Sequence, residues 1–329
     1  MNEQSFVDRR ENDWKRLTSL CDTADSSLKK LNIAELREFI RLYRHVSSDL
    51  ALARTKSTNI PLINYLNDLA GRAYGILYRS PKRPFWATLV GAVTASTQTV
   101  RRNRWFVFTS ASIFFGSAFF VFGLMSWVPD TRDLLIPPAL EKEFDGWKKG
   151  GFEERSGSES GMMTGFYASH NPTVALVTGA IGAGTFGIGS VLFLFQNGAT
   201  LGALAHEVAP VGKLGYLLSS IFPHGVPELS GAIVAGSSGL LLGYALINPG
   251  RRRRADALKA VGKDAIVLLG TSVVLMFMAA PIEAFFSFQP SVPQWVKVVV
   301  GGVEVCGWAA IWIFFGRTPH VEPHPLAAD

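Results

Sequence analysis

The sequence predicts an all-α protein, a polytopic membrane helix bundle preceded by a soluble helical domain. Three observations predict it. Of 329 residues, 48% are hydrophobic and only 18% charged, with a mean hydropathy of +0.22, too apolar for an ordinary soluble chain of this length. After residue 104, apolar stretches recur at about 20 residues, the length that crosses a bilayer. Before residue 80, apolar residues instead follow helical spacing within polar sequence.

The elements follow in order. Residues 1–83 read as a cytoplasmic helical domain: Phe6, Trp14, Leu17 and Leu20 recur at helical spacing, as do Leu36, Ile40, Tyr43 and Leu50 after a start signal at Asn32, and Pro61 opens a third helix. Residues 84–104 read as an interfacial amphipathic helix. There Phe85, Trp86, Leu89 and Val90 oppose Thr94, Ser96, Thr97 and Gln98, ahead of Arg101, Arg102 and Arg104. A fourth helix of the soluble domain is the competing reading.

The transmembrane bundle is expected over 105–316. Its first span is 105–128, followed by an extracytoplasmic loop, 129–172, with an amphipathic helix at 137–149 and a mobile Gly, Ser and Glu-rich stretch at 150–161. The second span starts with Asn171 as cap and Pro172 in the first turn, and stops at Asn197-Gly198. The weaker segment 199–222 contains His206, Glu207, Pro210 and Lys213. Strong spans follow at 227–248, 264–287 and 294–316, then a cytoplasmic tail, 317–329, with His320 and His324. If 199–222 crosses there are six spans; if it is re-entrant there are five.

Charge orients the chain. Residues 1–104 carry 18 Lys and Arg against 10 Asp and Glu, whereas 129–172 carry 5 against 8. Basic residues beside spans stay inside, which predicts both termini and Arg251–Arg254 in the cytoplasm and the 129–172 loop outside. Six crossings satisfy that rule. The opening MNEQSFVDRRENDW has no apolar run, so no cleavable signal peptide is expected. Cys21 and Cys306 lie in regions of different depth, which excludes a framework disulfide. The basic pI of 9.4 flanks spans without a nucleic-acid motif, so the lipid bilayer, not nucleic acid, is the expected partner.

Small residues set the expected packing. Gly231, Ala235, Gly239 and Gly243 repeat every four residues, and Gly179, Ala183 and Gly187 form a weaker strip. These faces predict a compact bundle and a homodimer.

Ionisable residues at membrane depth are the candidate functional groups, because each costs on the order of 2 to 3 kcal/mol at a helix centre. They are His224, Glu228, Glu283 and Glu304. In Phe222-Pro-His-Gly-Val-Pro-Glu-Leu229, Gly225 and Pro227 predict a turn into a helix, with Glu228 in its first turn. Interhelical hydrogen bonding, a proton, ion or substrate pathway, and a metal site are the readings open to the group, the metal site being the weakest. Chemistry is not legible. His206-Glu207 lacks a following His, with Pro at 210, so H-E-x-x-H is absent, and neither G-x-S-x-G nor a Walker motif occurs. No catalytic residue, metal ligand or cofactor is assigned, and a non-enzymatic protein is expected.

Ordered blocks along the chain carry a resemblance. They are Phe6-Val-Asp-Arg-Arg-Glu-Asn-Asp-Trp14, Leu42-Tyr43-Arg44, Tyr65-Leu-Asn67, Leu77-Tyr78-Arg79, Phe166-Tyr167 with His170-Asn171, Asn197-Gly198 and Leu201-Gly202. The most specific is Pro223-His224-Gly225 with Glu228-Leu229, continuing into Pro249-Gly250-Arg251 and Ala255-Asp256-Ala257-Leu258. With these blocks the chain resembles the stage II sporulation protein M family of bacterial integral membrane proteins, in a long form with an N-terminal cytoplasmic domain. The resemblance implies the bacterial inner membrane and adds His170, Asn171 and Asn197 to the candidate residues. It implies a scaffold joining cytoplasmic partners, among them a MoxR-type AAA+ ATPase, to envelope proteins and cell-wall remodelling. The alternatives are a transporter or lipid-handling protein that uses the intramembrane His and Glu residues and, more weakly, an intramembrane metal-dependent hydrolase.

Overall fold

The computed structural model describes residues 3–25, 28–78, 84–150 and 153–317. Among them it contains twelve α-helices and no strand. The chain divides at Pro84 into two units, each with its own core.

The first unit is three helices, α1 (Glu3–Ala24), α2 (Ile33–Lys56) and α3 (Ile60–Leu77). Asn32 starts α2 with a reciprocal capping box to Glu35, and Asn59 caps α3 with Pro61 in its first turn, so local sequence alone fixes both starts. Trp14, Leu17, Leu20, Phe39, Leu42 and Leu66 fill the core. Buried Asp49 accepts a hydrogen bond from the Trp14 indole at 2.9 Å and is faced by Arg10, so its charge is compensated.

The second unit begins with α4 (Phe85–Arg102), which packs on α11 (Arg254–Ile282) and α12 (Gln294–Phe314). Its first half leaves Phe85, Trp86, Leu89 and Val90 exposed. Its second half serves the end of α12: Thr97 and Arg101 donate to the Phe315 carbonyl, Arg101 to that of Trp312 and Gln98 to that of Gly316. These donors satisfy carbonyls that a helix end leaves unpaired. Arg102 and Asn103 both bind Asp264 of α11, at 2.8 and 2.9 Å.

Among the described residues, five helices are long and apolar enough to cross a membrane: α5 (Arg104–Trp127), α9 (Ile188–Val208), α10 (Leu214–Ile247), α11 with its π-helical extension Glu283–Ser287, and α12. A further long helix, α8 (Gly157–Gly184), packs among α9, α10 and α11. Short α6 (Arg132–Leu135) and α7 (Pro138–Lys149) precede it.

Several expected boundaries are corrected. Pro172 lies inside α8, whose real start is a capping box between Ser156 and Glu159; the stretch expected to be mobile is therefore helical from Gly157 onward. Asn197-Gly198 stops nothing. Gly198 sits mid-α9 against the Phe114 carbonyl of α5, where a Cβ would collide, and Gly202 meets the Ala118 carbonyl in the same way. The α8–α9 break falls instead at Phe186 and Gly187, both with positive φ (53° and 87°), a conformation that favours glycine. Segment 199–222 is not a single element: it is the end of α9, a turn around Gly212, and the start of α10.

The turn predicted at Pro227 is also absent, because α10 runs unbroken through Pro223 and Pro227. Breaking a helix inside an apolar bundle strands more backbone groups than two prolines do, so continuity wins. Each proline still removes an intrahelical donor, from the carbonyls of Ser219 and Pro223.

The two small-residue strips meet each other. Gly179 faces the Ala235 carbonyl, Gly182 touches Gly239, and Gly187 abuts Gly243, with Gly231 against Ser272. Both faces are thus spent inside one chain, and a homodimer would need another surface. The tail with His320 and His324 lies outside the described residues beyond position 317.

Candidate functional site

Because α10 is continuous, His224 and Glu228 share one face, four residues apart, with His224 Nε2 3.9 Å from Glu228 Oε2. Glu283 reaches the same place from the π-helical turn that ends α11. One donor atom from each of the three residues lies within 4.8 Å of the others. His224 is 5% exposed and Glu283 8%. Among the described residues, His224 Nδ1 and Glu283 Oε2 have no hydrogen-bond partner.

Helix α8 supplies the groups around this trio. The Asn171 amide donates to Glu228 Oε1 at 3.2 Å, and Tyr167 and Asn171 both stand beside the Glu283 carboxyl, with Arg155 in its vicinity. Gln289, just past the π turn, exchanges hydrogen bonds with the Arg155 backbone and Ser160. The Arg155 guanidinium lies 5.5 Å over the Phe288 ring, which meets His224 edge-on at 5.2 Å.

A cavity of about 380 Å³ opens onto His224 and Glu228 of the trio. His224, Glu228 and Thr178 lie at its floor, and exposed Glu143, His170, Gln196 and Asn197 at its rim. Apolar side chains such as Phe114, Leu194 and Leu201 form most of the wall. Phe144 and Trp147 of α7 cover one side, where Trp147 stacks edge-on with Phe288 and Tyr216. An ion-pair clamp holds α7: Glu207 at the end of α9 accepts from Arg132 at 3.0 and 3.1 Å and is paired with Lys148. The hydrogen bonds to Glu207 push the Arg132 guanidinium above its ordinary pKa.

The structure thus brings together His224, Glu228, Glu283 and Asn171, and puts His170 and Asn197 on the rim of the same cavity. Glu304, on α12, is outside the trio. Sequence reasoning missed Lys297, wholly buried on α12, although a lone charge in Gln-Trp-Val-Lys-Val-Val-Val is the same signal that singled out the acids. Tyr167, Arg155 and Gln289 carried no such signal, since hydroxyl, amide and loop residues are common outside sites. Glu207 was read as part of a weak apolar segment and of an absent protease motif, not as an ion-pair partner.

A family model described as Stage II sporulation protein M matches residues 89–288, a stretch that spans α5 to the π turn and holds the whole trio. The chain belongs to the stage II sporulation protein M family. A second model, described as a domain of unknown function (DUF8413), matches residues 4–79, the three-helix unit. No curated protein and no solved structure matches the chain. Membership and the apolar helices together make this a multi-pass membrane protein.

Proposed function

We propose that this member of the stage II sporulation protein M family is a non-enzymatic lipid-handling or transport protein of the bacterial inner membrane, which takes a lipid-like amphipath into the bundle. The observation that carries the reading is the cavity: an apolar-walled space of about 380 Å³ with His224 and Glu228 at its floor and a polar rim. Apolar walls with a few convergent polar groups are the usual form of a small-molecule site. The polar headgroup meets His224 and Glu228, the chain lies along Phe114 and Leu201, and α7 acts as the cover. Orientation follows the basic clusters, with α7 on the outer side.

Native mass spectrometry tests this. Protein released gently from the membrane should carry one bound amphipath per chain, and Thr200→Trp, which fills the cavity, should lower occupancy at least tenfold. Wild-type protein without bound amphipath, or equal occupancy in the variant, would overturn the reading.

A second reading rests on the separate three-helix unit, which has its own core and its own family match. As a self-contained module it suits a partner such as a MoxR-type AAA+ ATPase, making the protein a scaffold toward envelope partners. Co-purification of that ATPase with the full chain, lost on deleting residues 1–83, would support it.

A further inference from the structure

We propose that His224, Glu228 and Glu283 form a binding site for a divalent transition-metal ion of the zinc class. The inference rests on the cavity being a genuine binding site and names what the two polar groups at its floor, joined by Glu283 behind them, hold.

Three observations converge on an ion. First, the donor set is one imidazole and two carboxylates on two helices, brought within 4.8 Å of one another. In a four-coordinate site with bonds of about 2.0 to 2.2 Å, donor atoms sit about 3.3 to 3.6 Å apart, a distance that side-chain rotation brings within reach of the trio. Second, Glu283 is more than nine-tenths buried and turned into the group with Oε2 unpartnered. Two carboxylates side by side in an apolar bundle repel, and a divalent ion neutralises the pair while imidazole adds no charge. Third, a π-helical turn at Glu283–Ser287 carries that carboxylate, a distortion common at functional sites because it redirects one side chain out of helical register.

The surroundings fit a metal site. Asn171 orients Glu228 through a 3.2 Å hydrogen bond, and Tyr167 stands beside Glu283, as outer groups do around metal ligands. The cavity lies against His224 and Glu228, leaving a fourth position for water or a ligand headgroup. Two cations also face the trio, Arg155 toward Glu283 and buried Lys297 toward His224. They compete with an ion, which favours a tightly bound one with imidazole affinity over magnesium or calcium.

The test uses the full-length protein purified through a tag without histidine. Metal content would be measured as isolated, after EDTA, and after reloading with Zn²⁺ or Co²⁺. About one equivalent per chain is expected, with the absorption bands of tetrahedral Co²⁺, and at least a 100-fold loss of Zn²⁺ affinity in His224→Gln and Glu283→Gln. Asn171→Leu, which leaves all three ligands in place, should weaken binding 10- to 100-fold. A double variant, His320→Ala with His324→Ala, should keep the metal. Failure to take up Zn²⁺, a full equivalent retained in both ligand variants and Asn171→Leu, or loss in the tail variant would overturn the site. Thr200→Trp separates the two proposals: it should empty the cavity of amphipath and leave metal binding intact, so either can fail alone.

Discussion

Releasing the cover over the cavity is the perturbation whose size can be worked from the structure. Glu207, with a side chain 8% exposed, joins α9 to both ends of the α6–α7 segment through Arg132 and Lys148. Glu207→Gln keeps the shape and removes the charge. Each charge-assisted bond in a dry setting contributes about 1.5 to 3 kcal/mol. The cations, however, are 36% and 26% exposed, so solvent screens much of that and compensates them once the acid is gone. A net cost of about 2 kcal/mol for docking α7 is the result, because buried Phe144 and Trp147 still hold it. At 1.4 kcal/mol per factor of ten, the undocked population of α7 rises roughly 30-fold. Hydrogen–deuterium exchange over Pro138–Lys149 reads it directly. Exchange there should accelerate by about that factor while α10 and α11 stay unchanged. Exchange in α7 within threefold of wild type, or acceleration spread over the whole bundle, would refute the clamp.

Two further outcomes follow from the packing and the termini. Gly239→Leu places a side chain where the Ser190 hydroxyl and the Gly179 carbonyl already sit, so the α8–α10 contact must open and the melting temperature in detergent should fall by several degrees, whereas Gly270→Leu, with open space around it, should leave it unchanged. Hydrogen bonds from Ser57 and Asn59 hold the Glu3 carboxyl below its ordinary 4.5; a depressed acid stabilises above its unfolded value and loses that contribution as pH falls through the folded one. Amides at the start of α1 should therefore exchange faster only below about pH 4.5, and Glu3→Gln should abolish that dependence.

The places where sequence reasoning succeeded and failed have one physical explanation. The start signals at Asn32 and Pro61 are local, acting within the first turn of each helix, and the structure shows both. The same local rules misplaced Pro172, Pro227 and Asn197-Gly198, because in a bundle the cost of a broken helix is set by neighbouring helices and lipid rather than by propensity in water. Continuity of α10 is what turns His224 and Glu228 from two ends of a turn into neighbours on one face. Of the candidate residues, the chargeable ones stand out by cost alone, which is why His224, Glu228 and Glu283 were legible and Tyr167 and Gln289 were not.

By itself, the sequence determined that this is a helical membrane protein with a separate polar helical unit and intramembrane acids, because hydropathy, helical period and the cost of buried charge are properties of short stretches. Only the tertiary structure decided that α8 breaks at Gly187, that the two glycine strips close on each other, and that Glu283 comes to His224 and Glu228 while Glu304 does not. Those facts depend on which helix faces cross the bundle and on a π turn, and no local window of residues encodes either.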